Sequence, residues 1–515
     1  MHVTRVSESK IISLNLTVEL SQCHPGFWYS SESQKCECYD TKNIISCSGS
    51  NSTIKRGYWF GNISGKSTVT SCPNDYCNFT CCEITNGIYH LSPVRANQCR
   101  SHRSGAACGN CENGYTLSFD SPQCVEVNKC TIGQTVLVIT LSLLYWIAVV
   151  VTVFAMMYFK ITVGSLYGII YYYSIVDIFL SQVLFISNGL YTTVSILSSL
   201  AKLTPQFLGQ LCLVRNMSGI DQQFIHYVHP TVILLVLIMI SMLARRSRRI
   251  SLLISRGIIH FICFFLLLSY TSVATTSLLL MRPMIFMDID KVYTYLSPDI
   301  EYFHGHHLPY VTIAMIFTII IVIGLPLLLL LEPFLNSKIN FIKIKPLLDQ
   351  FQCCYKDKYR YCACYYMICR IVIIVLIIVN ISDGFTTQYL LISSCVLMEL
   401  IHILVRPYAS TFHNIFDGIL LLLIIILSIL PMVEIVDYFI KTFVAYVLTI
   451  LPLASFIIIK LWTNKTKIRD VIKYWTLRCS CKYTTDDMME PPSDEAEIGI
   501  TVDDNMRRNA TIVNV

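Results

Sequence analysis

The stretch Cys354–Asn380, CYKDKYRYCACYYMICRIVIIVLIIVN, passes from a basic, aromatic loop into an apolar run long enough to cross a membrane. A helix needs about 20 such residues to span roughly 30 Å of hydrocarbon. The run also carries Arg370, a permanent cation. Because lipid offers a guanidinium no hydrogen-bond partner, Arg370 must face protein or water. The stretch therefore predicts a membrane-spanning helix with a polar site built into it.

The composition of the whole chain is that of a membrane protein. Of its 515 residues, 54% are hydrophobic and only 14% are charged, against about 25% charged in ordinary globular domains. The net charge of +6 is too small for a nucleic-acid footprint, and no basic helix carries interleaved aromatic residues. We therefore exclude nucleic acid as a partner and predict a lipid bilayer.

Apolar runs of about 20 residues recur from Ile132 onward. Lipid leaves open backbone groups unsatisfied, so these runs must be helices. Pro326, Pro431 and Pro452 are expected to kink theirs. We predict an all-α polytopic helix bundle over 131–462 with about nine spans. Their predicted bounds are 132–158, 163–187, 226–244, 257–281, 308–331, 361–381, 388–405, 415–433 and 442–462.

Lysine and arginine in short loops set the orientation of such a bundle. The loop after the third span, ARRSRRISLLISRG, holds five arginines and is predicted to be cytoplasmic. Alternation across nine spans then places the N-terminus outside the cell and the C-terminus in the cytoplasm, with the protein in the plasma membrane.

Residues 1–130 form a predicted exoplasmic domain stapled by disulfides, because 13 of the 23 cysteines lie there. Thirteen is odd, and Cys212 is the other cysteine on this predicted side. We expect Cys212 to bond to the ectodomain or to Cys130; a free buried thiol is the alternative. The predicted disulfide cysteines are Cys23, Cys36, Cys38, Cys47, Cys72, Cys77, Cys81, Cys82, Cys99, Cys108, Cys111, Cys124, Cys130 and Cys212.

Glycosylation sequons mark the same side of the membrane. They lie at Asn15, Asn51, Asn62, Asn78 and Asn216. The first twenty residues contain no apolar core of a signal peptide, although about 130 residues must reach the exoplasmic side. We therefore expect the chain to be N-terminally truncated.

Ionisable residues inside predicted spans are the strongest functional candidates. Arg370 and Glu399 lie at matching depths on neighbouring spans, with His402 and Asp417 nearer the cytoplasm. These four are predicted to form one polar cluster with Arg370 in an ion pair; a site for permeating ions or protons is the alternative. Asp177 has no obvious cation at its depth, so it is either protonated or lines a wet cavity.

The segment after the last span divides into two parts. Residues 463–482 place apolar and basic residues at helical spacing, which is typical of a helix lying in the inner interface. Cys479 and Cys481 there are candidates for palmitoylation. Residues 483–515 are acidic and poor in aromatic residues, hence predicted to be disordered. The terminus Val513–Val515 fits a PDZ-type groove.

Signatures of catalysis and metal binding are missing from the sequence. There is no Walker loop, HExxH or GxSxG motif, so we predict no enzyme activity and no cofactor. His304, His306 and His307 are interpreted as solvated loop residues rather than metal ligands, and the CxxC at Cys108 and Cys111 as disulfide cysteines.

Three motifs carry a resemblance to a known family. IKPLLDQFQCCYKDKYRYCACYYMICR and RPYASTFHNIFDGILLLL, with RSGAACGNCENGY upstream, resemble a family of uncharacterised multi-pass membrane proteins from early-branching invertebrates. The likeness extends from about Cys23 to Trp462. It implies a cysteine-rich ectodomain, laminin-like or EGF-like around Cys99–Cys124, joined to a helical bundle whose KPLLD, YKDKYRY and RPY motifs lie on its cytoplasmic side. It implies no activity or ligand.

Two functions fit this organisation. The first is a cell-surface, receptor-like protein whose ectodomain binds an unknown extracellular ligand while the bundle passes the state inward. It draws on the joint presence of an ectodomain, basic inner loops and a long tail. The alternative is an ion channel or transporter that uses the polar residues buried between helices. The cysteine-rich domain itself is either a structural disulfide knot or a ligand-binding module.

Overall fold

A computed structural model describes most of the chain between residues 98 and 463. The described ranges are 98–158, 168–176, 211–246, 257–286, 289–335, 345–379, 384–433 and 438–463, with shorter segments between residues 2 and 91. The chain divides into two compact units, Met1–Pro452 and Leu453–Val515. In the second unit the described residues are 453–463, the end of the last helix.

The N-terminal region consists of short antiparallel β-hairpins. Such strands bury too little apolar surface to be stable alone, so disulfides are needed to hold them. The paired strands are His2–Ser7 with Lys10–Asn15, Phe27–Ser30 with Lys35–Cys38, Tyr58–Ile63 with Lys66–Ser71, Arg103–Ser104 with Asn110–Cys111, and Tyr115–Leu117 with Cys124–Glu126. A four-stranded sheet has the order Ile45–Ser48, Asn51–Lys55, Ile88–Leu91, Ile84–Thr85.

Disulfide bonds connect this region internally and to the membrane helices. Cys72–Cys77, Cys99–Cys108 and Cys111–Cys124 join cysteines that are near one another in sequence. Cys130–Cys212 joins the start of the first helix to the loop before the third. Cys130 is one of the two partners expected for Cys212. Cys36 and Cys38 are also disulfide-bonded.

From Ile132 onward the chain is mostly helical, apart from the hairpin Pro283–Ile285 with Val292–Thr294. We number the helices α1 (Ile132–Tyr158), α2 (168–176), α3 (Gly219–Arg246), α4 (Gly257–Leu280), α5 (His307–Leu335), α6 (Lys345–Gln352), α7 (Cys362–Val379), α8 (Gly384–Val405), α9 (Thr411–Ile429) and α10 (Tyr438–Thr463). Helix α5 includes a π-helical turn, Thr318–Ile323.

Eight of the helices in the described ranges are long and apolar enough to cross a membrane: α1, α3, α4, α5, α7, α8, α9 and α10. They correspond to eight of the nine predicted spans. The remaining one, 163–187, is described only at 168–176, so the count of nine stays a prediction. Several boundaries differ from the predicted ones by four residues or more, among them those of α3 and α9. Helix α3 begins at Gly219 rather than near 226, and α9 covers Thr411–Ile429 rather than 415–433.

Helix α4 lies at the centre of the bundle. It packs against α1, α3, α5, α6 and α7, and 67% of its span is buried, the largest share among the eight. The outer helices instead expose apolar side chains such as Leu144, Ile147 and Val151 on α1. In water these faces would be unfavourable, whereas in a bilayer they contact lipid.

Two proline residues inside helices each leave a backbone carbonyl without its helical N–H donor. A tyrosine hydroxyl from a neighbouring helix donates to each of these carbonyls. Pro326 in α5 has no N–H to offer the carbonyl four residues earlier, that of Val322. The Tyr270 hydroxyl of α4 donates to this carbonyl at 2.7 Å. In α10, Pro452 likewise offers no N–H to the Leu448 carbonyl, and the Tyr172 hydroxyl of α2 donates to that carbonyl at 2.8 Å. Both proline-containing segments are thereby bonded to neighbouring helices.

The N-terminal domain packs directly on the loop that joins α4 to α5. Trp59 and Tyr76 share a hydrophobic cluster with Met284, Phe286 and Tyr295 of that loop. The Tyr76 hydroxyl donates to the Leu296 carbonyl at 3.1 Å, and the Thr70 hydroxyl donates to the Ile285 carbonyl at 3.2 Å. The contact thus combines apolar burial with hydrogen bonds across it.

The same domain also contacts the start of α3. The Gln222 amide donates to the carbonyls of Ser118 and Ser121 at 3.0 and 2.8 Å. Gly219 approaches the Leu296 carbonyl so closely that a Cβ would lie 2.3 Å from its oxygen. Glycine is therefore required at this position.

Candidate functional site

Arg370 lies on α7 with only 5% of its surface exposed. A guanidinium can only donate hydrogen bonds, so its burial requires acceptors. Its Nη1 donates to the Thr271 hydroxyl at 3.1 Å and to the Leu267 carbonyl at 3.4 Å, both on α4. The Tyr171 ring of α2 lies 4.9 Å from its Cζ, within cation–π range. Three helices therefore meet at this cation.

The ion pair expected for Arg370, for which Glu399 at a matching depth is one candidate partner, is not formed as a direct contact. Within the described part of the chain, no carboxylate oxygen lies within 4.0 Å of the Arg370 nitrogens. The side chain is directed toward α4, whereas Glu399 on α8 lies beside Gly418 of α9. Equal depth in the bilayer does not determine which way a side chain points around its helix, and this is why the expectation was wrong.

His402 and Asp417, which were predicted to cluster, are in contact. The His402 Nδ1 lies 3.6 Å from an Asp417 carboxylate oxygen. Its Nε2 is 2.8 Å from the Asn414 carbonyl, which can only accept, so Nε2 carries a proton. Nδ1 then accepts from the Tyr366 hydroxyl in the neutral ring. Tyr408 donates its hydroxyl to Asp417 at 3.3 Å.

Arg370 and Asp417 line one cavity of about 40 Å³. Its wall also includes Gly168 and Tyr171 of α2 and Ala363 of α7. Pockets for organic ligands of drug size have volumes of roughly 300–1,000 Å³, so this one suits water or a small ion. The sequence prediction of one polar cluster thus corresponds to two groups, one around Arg370 and one around Asp417, on the walls of the same cavity.

The KPLLD, YKDKYRY and RPY motifs converge beside this cavity. Asp349 of KPLLD forms an ion pair with Arg360 of YKDKYRY at 2.5 Å. The backbone N–H of Lys356 donates to the Pro407 carbonyl of RPY at 2.9 Å. The rings of Tyr355 and Tyr408 stack with centroids 4.9 Å apart. The motifs therefore join the α6–α7 loop to the α8–α9 turn.

Tyr355 and Tyr408 keep their protons because of their surroundings. Burial raises the pKa of both hydroxyls well above the ordinary value, and the neighbouring Cys354 and Asp417 add to the shift. Both rings are therefore neutral hydrogen-bond donors at the cavity. This explains how Tyr408 can donate to a carboxylate without adding a charge.

The interpretation of His304, His306 and His307 as solvated loop residues is wrong for His307, which is the first residue of α5. His307 is fully buried, with Nε2 donating to the Leu280 carbonyl at 3.0 Å and Nδ1 accepting from the Phe303 N–H. His304 is exposed, and His306 lies 3.9 Å from Asp221. Among the residues with described positions, no group of three or more His, Cys, Asp or Glu is placed to hold a metal ion.

Several predicted positions are only partly described. Asn216 is exposed in a turn with a φ of 59°. Asn15, Asn51, Asn62 and Cys47 lie in strands, but their side chains are not described. The remaining predicted sites lie outside the described residues: Asp177, Asn78, Cys23, Cys81, Cys82, Cys479, Cys481, the segment 464–482 and the tail 483–515.

Sequence reasoning missed several residues of the site. Thr271 and Tyr171 hold Arg370, yet each lies in an apolar run without a recognisable signal. Tyr355 and Tyr408 belong to the YKDKYRY and RPY motifs, so these motifs were a sequence signal for this part of the site.

Comparison of the chain with protein families, curated proteins and solved structures finds no match.

Proposed function

We propose that the protein is a receptor-like membrane protein of the plasma membrane, in which the N-terminal domain binds an extracellular ligand. The observation that carries this proposal is the packing of that domain on the α4–α5 loop through Trp59, Tyr76 and Phe286. A ligand that moves the domain would move the outer end of α4. Helix α4 also carries Thr271, which holds Arg370, so the movement has a physical route to the charged cavity.

The experiment uses the full chain in lipid nanodiscs, with a fluorophore on Cys353. This thiol is exposed, and Cys479 and Cys481 are replaced by serine. The probe ligand is a set of antibody fragments raised against residues 98–130. Binding of some of them should change the fluorescence of the label. The matched variant Tyr76→Phe, Thr70→Val should bind the same fragments with a smaller change; no change with any bound fragment would refute the proposal.

A channel or transporter is the second candidate, and the cavity between Arg370 and Asp417 favours it. Charged groups on the wall of a small intramembrane cavity are typical of ion and proton pathways. Ionic current or uptake in cells expressing the chain, lost in Asp417→Asn and in Glu399→Gln, would support this function. Absence of flux in cells with verified surface expression would count against it.

The proposed orientation has the N-terminus outside and the C-terminus in the cytoplasm. The disulfides Cys99–Cys108 and Cys130–Cys212 support it, because such bonds persist in oxidising compartments. Glycan on Asn216, removed by Asn216→Gln, is the expected result. The sequon at Asn464 follows the last span and should stay bare, because the proposed orientation places it in the cytoplasm. Cys353 should react with an impermeant maleimide only after the cells are permeabilised. Reaction in intact cells would reverse the topology.

The remaining proposals concern modification and partners. We propose glycans on the five N-terminal and loop sequons, an EGF-like module around Cys99–Cys124, palmitoylation of Cys479 and Cys481, and a PDZ-type partner for the C-terminus. The neighbouring disulfides Cys99–Cys108 and Cys111–Cys124 support the module. Removal of the last three residues should abolish binding to a PDZ array if the terminal proposal is right.

A further inference from the structure

Two charged groups on one cavity wall retain unused hydrogen-bonding capacity. Arg370 Nε is buried and has no partner among the described atoms. A carboxylate offers about four acceptor positions, and the Tyr408 hydroxyl fills one of those of Asp417. A donor on α7 and an acceptor on α9 therefore line the same cavity.

The size of this space decides what can fill it. A cavity needs roughly 10–15 Å³ to hold a water molecule and must offer it two or more polar partners. The cavity measures about 40 Å³, which is enough for about two waters. Water can accept from Arg370 Nε–H and donate to the Asp417 carboxylate at the same time. An empty cavity would leave the Arg370 Nε–H without an acceptor in a low-dielectric interior.

We propose that ordered water occupies this cavity and joins Arg370 to Asp417 as a water-bridged ion pair between α7 and α9. Water-mediated hydrogen bonds are nearly as favourable as direct ones. Opposite charges also attract one another across a bridging water molecule in a low-dielectric interior. The bridge accounts for a buried cation that has no direct carboxylate partner in the described chain, and it holds for either candidate function.

A water bridge differs from a direct ion pair in how it responds to movement. A direct pair breaks when its helices separate by an ångström or so, because its geometry is fixed. A bridged pair can gain or lose a water molecule instead. Helices α7 and α9 can therefore change spacing while Arg370 and Asp417 stay linked, as both a receptor and a transporter require.

Hydroxyl-radical footprinting with X-rays tests for the water directly, because radicals formed from a bound water oxidise the side chains beside it. Met367 lines the cavity and is 4% exposed, whereas Met284 is 2% exposed and lies elsewhere. In the full chain in nanodiscs, Met367 should be oxidised several-fold faster than Met284. Ala363→Val, which fills the cavity, should lower the rate at Met367 and leave that at Met284 unchanged.

A double-mutant cycle then tests the bridge. Asp417→Asn should lower the thermal midpoint of unfolding more in the Arg370 protein than in an Arg370→Gln background, because the two groups interact. Equal oxidation rates for Met367 and Met284 would show a dry cavity and overturn the proposal. Fast oxidation with fully additive effects would show water that does not join the charges, and would overturn it as well.

Discussion

Gly168 of α2 is a position where the absence of a side chain decides the packing. A Cβ there would lie 2.6 Å from an Asp417 carboxylate oxygen and 3.2 Å from Leu420 Cδ1. Gly168→Ala should therefore destabilise the protein by about 1–3 kcal/mol through overpacking. The thermal midpoint of unfolding in nanodiscs measures the effect.

Gly133 in α1 provides the matched control for Gly168. A Cβ there would meet only the Thr131 hydroxyl, at 3.7 Å. Gly133→Ala should be neutral or slightly stabilising, since alanine favours helix. In an Asp417→Ala background, Gly168→Ala should cost much less, because the clashing oxygen is gone. An equal cost in both backgrounds would contradict the contact.

Cys353 and Cys354 are adjacent thiols with different accessibility. Cys353 is exposed and Cys354 is buried, and desolvation raises the pKa of both, most strongly for Cys354. Since the thiolate is the reactive form, maleimide labelling of Cys353 should be slow at pH 7 and rise about tenfold per pH unit below its pKa. Cys354 should stay unlabelled until the protein unfolds. Mass spectrometry of the peptide distinguishes the two, and a plateau of the Cys353 rate by pH 7 would contradict the raised pKa.

The residue scale also shows where sequence reasoning succeeded and failed. The cost of a charge in lipid identified Arg370 and Asp417 as a site, and both line the cavity. The partner of Arg370 could not be predicted, because Thr271 and Leu267 lie about 100 residues away in an apolar run. A carbonyl and a hydroxyl satisfy a guanidinium without leaving any charge pattern in the sequence.

At the scale of single elements, α4 supplies the hydrogen bond that α5 lacks at its proline. Tyr270 donates to the Val322 carbonyl that Pro326 leaves free. Tyr270→Phe would bury that carbonyl without a partner and should destabilise the protein by about 1–3 kcal/mol. Unfolding monitored by intrinsic fluorescence measures the loss.

Two further variants separate the proline effect from the loss of a hydroxyl. Tyr270→Phe combined with Pro326→Ala should recover much of the stability, because the new N–H can bond to the Val322 carbonyl. Tyr446→Phe on α10 is the control, since Tyr446 is 38% exposed and should lose little. If Pro326→Ala gave no recovery, Tyr270 would stabilise α5 by packing alone.

The membrane helices were predictable in part from the sequence. The length and apolarity of each run located eight helices, because a bilayer fixes the minimum span. The missing N–H of Pro326 and Pro452, on which the predicted kinks are based, leaves gaps in the helical hydrogen bonding. The tyrosines that fill them, and the π turn before Pro326, depend on tertiary contacts between helices far apart in the chain.

At the scale of the molecule, the N-terminal domain and the bundle form one connected structure within Met1–Pro452. Cysteine density predicted a stapled domain, and the odd count directed attention to Cys212. The packing of Tyr76 and Trp59 on the α4–α5 loop could not be predicted, because neither side of that contact has a periodic pattern. The coupling on which the proposed receptor function rests is therefore a structural observation.

The Cys130–Cys212 bond should be the disulfide that most stabilises this arrangement. It closes a sequence separation of 82 residues, whereas Cys72–Cys77 closes five. Loop-closure entropy predicts about 4.5 kcal/mol for the first and about 2 kcal/mol for the second. Replacing both cysteines of each pair by alanine should thus lower the thermal midpoint more for Cys130/Cys212. Because α1 is anchored in the membrane and restricts the unfolded chain, these values are upper limits, but their order should hold. Equal losses would mean that membrane insertion already fixes both ends of the larger loop.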